Sequence, residues 1–256
     1  MVWSATQYTL FEDERTRPAR DLLSAIPAVD ATRVIDLGCG PGNSTELLTA
    51  RFPSAQVSGL DSSPEMIAAA RKRLPAIAFE LADVGAWNPG ETFDVIFSNA
   101  VLQWVPDHER LLPGLVARLR AGGSLAIQMP DNQSEPSHTL MRESASDLMS
   151  ARVLADAEGD RVNLGGAGWY VDLLKPLARR VDVWRTTYFH RLANPQAIVE
   201  WFKSTGLRPY LSRLDGPQRE AFLARYGEAI ACAYPAAIDG SVLLPLSRLF
   251  IVVTVP

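Results

Sequence analysis

The chain has 256 residues, 47% apolar and 21% charged, the proportions of a folded globular protein long enough to bury its own core. Its 25 Lys and Arg against 29 Asp and Glu leave a net charge of −4, which offers no basic surplus for duplex nucleic acid. Cys39 and Cys232 are far apart in sequence and lack metal-ligand spacing, so a reducing compartment is expected rather than a disulfide framework or a metal site.

Residues 1–20 carry charge where a secretory leader would be apolar, and no apolar run approaches the roughly 20 residues that cross a bilayer. A cytoplasmic location is therefore expected. Short apolar runs at 33–37, 56–60, 77–81, 93–98 and 124–129 read as strands, with helices between them over 18–26, 44–52, 64–74 and 108–119. Pro64 suits a first helical turn, and Ser62 with Glu65 reads as a capping box. After Met129 the pattern loosens into a polar stretch, an amphipathic helix at 140–156, a strand at 181–190, a helical stretch over 194–240 and a strand at 247–255.

This order predicts an α/β fold with a seven-stranded sheet flanked by helices. Residues 1–130, 181–190 and 245–256 would form the sheet domain, and 131–180 and 191–244 would be helical insertions roofing an acceptor pocket.

The strongest motif is Asp36-Leu37-Gly38-Cys39-Gly40-Pro41-Gly42-Asn43, a buried strand breaking into a glycine loop that opens a helix. Glycines let the backbone turn sharply and approach a ligand closely. The spacing is not that of the dinucleotide fingerprint, and Asp36 would repel a pyrophosphate while suiting a ligand with an ammonium and a sulfonium. That disfavours a nicotinamide-dependent oxidoreductase.

Asp61 ends the second strand, where a carboxylate can accept from both hydroxyls of a ribose; its alternative role is to cap the next helix. Ser62 and Met66 belong to the same turn. Asp83 ends the third strand, where it can accept from an adenine amino group beside Val84, or simply occupy a solvated turn. Asn99 closes the fourth strand, and Trp104 follows it as either a ligand contact or a core indole.

These stations, with Asp36 and its three glycines followed by Asp61, Asp83 and Asn99, resemble the class I methyltransferases across about residues 30–130. The resemblance implies S-adenosylmethionine as cofactor, a Rossmann-like sheet of order 3-2-1-4-5-7-6 with its last strand antiparallel, and S-adenosylhomocysteine as product. The flanking segments Glu14-Arg15-Thr16-Arg17-Pro18, Ile198-Val199-Glu200-Trp201 and Thr205-Gly206-Leu207-Arg208-Pro209 are similar to the trans-aconitate 2-methyltransferases along nearly the whole chain. That likeness implies esterification of a small tricarboxylic acid.

A carboxylate acceptor is ionised near neutral pH, so no general base is expected and rate would come from orientation and exclusion of water. The acceptor's other carboxylates would need cations, for which arginine's fork is suited. Arg15, Arg17, Arg142, Arg208 and Arg213 are the candidates, with Tyr170 as a hydrogen-bond donor. The competing readings are a methyltransferase for a hydroxyl, amine or sterol-like acceptor, and a regulator that binds the cofactor without transferring anything. A small-molecule acid is the expected partner, with neither nucleic acid nor membrane.

Overall fold

The structure, a computed structural model, describes residues 12–27, 30–159, 162–203 and 205–256, with backbone alone for 12–15. It divides into two compact units, the first holding residues up to Pro130 together with Asn163–Thr186 and Arg248–Pro256, and the second holding Asp131–Val162 and Thr187–Ser247.

In chain order the elements are α1 (Glu12–Ala25), β1 (Arg33–Leu37), α2 (Asn43–Arg51), β2 (Gln56–Asp61), α3 (Pro64–Arg73), β3 (Ala78–Leu81), β4 (Phe93–Asn99), α4 (His108–Val116), β5 (Leu119–Pro130), α5 (Pro136–Ala145), α6 (Ala151–Gly159), α7 (Ala167–Leu174), β6 (Arg180–Leu192), α8 (Pro195–Lys203), α9 (Arg208–Leu211), α10 (Gly216–Ala233) and β7 (Val242–Thr254). The strands form one seven-stranded sheet in the order β3-β2-β1-β4-β5-β7-β6. β1 pairs in parallel with β2 and β4, β2 with β3, and β4 with β5, while β7 runs antiparallel to β5. This is the expected architecture.

Parallel strands covered on both faces must be apolar throughout. Val34, Ile35 and Leu37 of β1, Val95 to Phe97 of β4 and Leu125 to Ile127 of β5 are at most 6% exposed. On one face Ile35, Leu37, Ile96, Leu125, Ile127, Leu249 and Ile251 pack with Leu112 and Leu115 of α4. Each such side chain contributes about 1.5–3 kcal/mol on burial. On the other face α1 packs against α2 and β5.

Several boundaries differ from the sequence pattern. α1 begins at Glu12, so Pro18 lies inside it rather than opening it. α4 ends at Val116 and β5 begins at Leu119, with a register shift opposite Phe93 to Val95. Gly122 has φ 75°, and a Cβ on Gly123 would come within 2.8 Å of the Arg120 carbonyl, so the irregular entry to β5 depends on this glycine pair. The helix expected over 140–156 is two helices, α5 and α6, the second begun by Ser150, whose Oγ accepts from the Val153 N–H at 3.4 Å. Residues 163–180 were expected in an insertion. Instead residues 163–186 belong to the first unit, because Tyr170 and Leu174 of α7 are fully buried in its apolar core.

In the second unit α10 packs on α5 and α8. Asp215 and Gln218 form a reciprocal capping box at its start. The Tyr226 hydroxyl donates to the Ser137 carbonyl at 2.9 Å, and the Tyr234 hydroxyl accepts from the Ser137 N–H at 3.0 Å, fixing the start of α5.

Candidate cofactor and acceptor site

β1 breaks at Leu37 into a loop whose three glycines, Gly38, Gly40 and Gly42, have φ of 69°, 54° and 94°, a left-handed region that side chains rarely adopt. A Cβ on Gly38 would lie 2.2 Å from a Val101 methyl, so only glycine fits there. At Gly40 nothing lies within 4 Å of a built Cβ, which leaves its backbone open to a ligand. Gly42 is the N-cap of α2.

Asp36 is fully buried beneath this loop, and its Oδ2 accepts from Ser44 Oγ and Thr45 Oγ1, both at 2.7 Å. Burial pushes its pKa up to about 6, against the pull of those two hydroxyls and with a smaller push from Asp61. Its Oδ1, the Oδ1 of Asn43 and the Oδ1 of Asn99 are buried with no hydrogen-bond partner among the described residues. Three orphaned acceptors around one glycine loop suit a ligand that brings donors and positive charge. Burial also pushes the Cys39 thiol up, helped by the charges of Asp36 and Asp61, so it stays protonated at neutral pH.

Asp61, at the end of β2, accepts from Gly40 N–H at 3.0 Å and from Ser63 N–H at 2.9 Å. Burial raises its pKa, opposed by these backbone donors. One carboxylate thus pins the glycine loop to the next helix, with Ser62 N–H as a further backbone donor to it. The N-cap of α3 is Ser63, not Ser62: its Oγ accepts from Met66 N–H at 3.4 Å. Pro64 at the first helical position moves the cap to the residue just before it, which puts Met66 rather than Glu65 at the third position and leaves no capping box. Ser62 is exposed and Met66 buried.

Asp83 is exposed and caps a short 3-10 turn, Val84–Ala86, by accepting from Gly85 N–H at 2.8 Å, while Val84 is buried. Asn99 ends β4, next to Ala100, a non-glycine residue with φ 59°. Trp104 is half-buried on a second 3-10 turn, Leu102–Trp104, anchored by His108 Nε2 at 2.8 Å from the Leu102 carbonyl.

A methyltransferase domain model matches residues 34–123, the span that carries these stations. Over 250 residues the chain is 54% identical to trans-aconitate 2-methyltransferase of Methylobacterium nodulans, covering 98% of this chain and 97% of that one. The chain belongs to the trans-aconitate 2-methyltransferase family. A second member, from Rhizobium meliloti, is 52% identical over 254 residues and covers 99% of both chains. Solved structures share the fold at far lower identity. The YcgJ protein of Bacillus subtilis aligns with TM-score 0.59 at 12% identity, over 93% of this chain and 98% of its own. A Haemonchus contortus phosphoethanolamine N-methyltransferase, in complex with phosphomonomethylethanolamine and S-adenosylhomocysteine, aligns with TM-score 0.56 at 15% identity, over 94% of this chain and 53% of its own.

In this member of the trans-aconitate 2-methyltransferase family the candidate arginines lie on several elements. Arg17 is exposed on α1, and the side chain of Arg15 lies outside the described residues. In the second unit Arg142 donates to the Gln133 carbonyl at 3.2 Å and faces Glu158 at 3.7 Å. Arg213 donates to the carbonyls of Pro209 at 2.8 Å and Asp156 at 3.2 Å, and Arg208 is half-buried at the start of α9. Tyr170, expected as a donor to the acceptor, is 0% exposed, and its hydroxyl meets His108 Nδ1 at 2.9 Å.

The strand pattern does not mark Ser44 and Thr45 as partners of Asp36, although two hydroxyl residues directly after the glycine loop are a readable signal. Gln103 and Gln128 also escape the motif. Both are buried beside Asn99, with Gln103 Nε2 donating to the Ala100 carbonyl at 2.7 Å.

Proposed function

We propose that this chain is a methyltransferase using S-adenosylmethionine to esterify one carboxylate of a small tricarboxylic acid, trans-aconitate. The observation that carries the cofactor assignment is the set of orphaned oxygens on Asp36, Asn43 and Asn99 around the open backbone of Gly40. Family membership carries the acceptor.

When bound, S-adenosylmethionine supplies a sulfonium methyl whose passage to a carboxylate oxygen forms a C–O bond and breaks a C–S bond, the electron pair staying on sulfur. The acceptor oxygen arrives ionised near pH 7, so no residue has to take a proton. The chain's own work is binding and orientation. Asp36, ionised above about pH 6, offers negative charge to a cationic ligand, and Asp61 keeps lone pairs for ribose hydroxyls while holding Gly40 in place. Asp83 with Val84 would border the adenine, Met66 and Ser62 would flank the ribose, and Trp104 would screen the reacting atoms from water. Arg17, Arg142, Arg208 and Arg213 are the cations proposed for the acceptor's remaining carboxylates. A cytoplasmic location is part of this proposal. Among the described residues no helix is long and apolar enough to cross a membrane.

The test is transfer of labelled methyl from S-adenosylmethionine to a panel of di- and tricarboxylic acids, with a catechol, an amine and a sterol as controls. Labelled trans-aconitate ester, lost in Asp61→Ala, is the expected result. Transfer to a neutral acceptor alone overturns the substrate, and cofactor binding without transfer to anything favours a regulator.

A further inference from the structure

Gln128 is 1% exposed on β5, and neither its Oε1 nor its Nε2 has a hydrogen-bond partner among the described residues. A carboxamide buried with both ends unpaired is expensive, so a fully orphaned one marks a place where the fold keeps donors and acceptors for something else.

The strand registers show where it sits. Asp36 pairs with Phe97 and Phe97 with Ala126; two residues further along, Asn99 pairs with Gln128, and Gln128 with Phe250. Side chains on neighbouring strands in register share a face, and positions two apart on one strand do as well. Asp36, Asn99 and Gln128 therefore lie on one face of the sheet, at the carboxyl ends of three adjacent parallel strands. Gln103 adds a fourth orphan close by, since its Oε1 is buried and unpaired while its Nε2 holds the carbonyl of Ala100, the residue after Asn99.

The side of Gln128 away from Asn99 is closed by Phe250, which stacks on Trp184 at 4.8 Å with a 9° interplanar angle. Pro130 pairs with Arg248, two residues before Phe250, so a guanidinium only 8% exposed belongs to the same face one step further out. Across these strands the face runs from the buried acid Asp36, through the neutral amides Asn99 and Gln128, to the buried cation Arg248. A ligand positive at one end and anionic at the other matches this order.

We propose that Gln128 is an acceptor-binding residue whose Nε2 donates to a carboxylate of the acid substrate, on the sheet face that Asn99 shares and on the side nearer Arg248. This rests on the proposed carboxyl methyl transfer. A carboxamide suits the task because it donates to a carboxylate without neutralising the oxygen that must attack, as a tight ion pair there would.

The test compares wild type with Gln128→Met, a near-isosteric change that removes both polar atoms, by methyl-transfer kinetics with trans-aconitate and by calorimetric binding of S-adenosylhomocysteine. The expected result is an acceptor KM raised roughly 10- to 100-fold, the loss of a hydrogen bond to a charged group, with cofactor affinity unchanged within about twofold. An unchanged KM overturns the inference, and a lowered melting temperature beside it makes Gln128 a structural amide satisfied by water. Should the methionine variant fold poorly, Gln128→Asn decides, because it keeps the carboxamide but withdraws its donor by one methylene: the acceptor KM rises if that donor holds the acid and stays at the wild-type value if it does not. A wild type that binds S-adenosylhomocysteine yet esterifies no acid overturns the functional reading and this inference together; a wild type that esterifies trans-aconitate beside variants of unchanged KM overturns this inference alone.

Discussion

Asp36 and Thr45 are both fully buried and joined by a 2.7 Å hydrogen bond in which the hydroxyl donates to Oδ2. With Ser44 donating to the same oxygen, the acid is held in one orientation, and its other oxygen has no partner among the described residues. The arrangement opposes stability to function, because a carboxylate this buried resists ionisation, and its pKa stands near 6 rather than 3.8.

The sign of the pH effect follows. An acid whose folded pKa is raised contributes stability fully present below its unfolded pKa and lost as pH rises through the folded one. For Asp36 that window runs from 3.8 to about 6, and the loss is roughly 3 kcal/mol. Asp36→Asn should therefore raise the melting temperature of the cofactor-free protein at pH 7.5 while weakening S-adenosylhomocysteine binding by about tenfold or more. Thermal melts and calorimetry at that pH check both halves, and a variant less stable than wild type would count against the burial penalty.

Cofactor affinity should itself depend on pH. A cationic ligand favours ionised Asp36, so affinity falls as the acid protonates, by about tenfold from pH 7 to pH 5. Calorimetric titrations across that range should show the fall in wild type and a much flatter profile in Asp36→Asn. Thr45→Val should move the midpoint upward, since the lost hydroxyl was stabilising the carboxylate.

Gly38 and Gly40 should fail differently when changed to alanine. At Gly38 the new methyl meets Val101 and the left-handed backbone is strained as well, so a loss of about 2–4 kcal/mol of stability is expected. At Gly40 no atom stands in the way, and strain alone costs about 1 kcal/mol. Gly40→Ala should thus fold normally and still lose most cofactor affinity, because the open space beside it is the one proposed for the ligand. Chemical denaturation alongside binding separates the two cases, and normal affinity in Gly40→Ala would place the ligand elsewhere.

Tyr170→Phe tests whether that hydroxyl serves the fold or the acceptor. Removing the hydroxyl leaves His108 Nδ1 buried without its partner, at about 1–3 kcal/mol, while the acceptor KM stays at the wild-type value. A raised KM with unchanged stability would restore Tyr170 to the acceptor.

The residues proposed to hold the cofactor are legible in the sequence because they are local. Asp36, the three glycines and Asn43 follow one another, and Asp61, Asp83 and Asn99 each mark a strand end that apolar runs reveal. What stayed hidden depends on register. Gln128 reads as one polar residue in a strand until β4 is set beside it, and Tyr170 reads as a hydrogen-bond donor for the acceptor until α7 is seen inside the core. The capping serine was missed by one position because Pro64 fixes the helix start more tightly than a serine can choose it. The break between α5 and α6 has no proline or glycine to announce it, only the Ser150 side chain bonding three residues ahead.

The sheet order has a consequence for how the chain acquires its fold. β7 lies between β5 and β6, so β6, although synthesised earlier, has no neighbour to pair with until β7 has inserted. Pairing of β5 with β7 joins residues more than a hundred positions apart, a slow closure by loop entropy. During synthesis β5 must therefore wait with one backbone edge unpaired, and a nascent chain halted before Val242 would expose that edge to other chains or to chaperones.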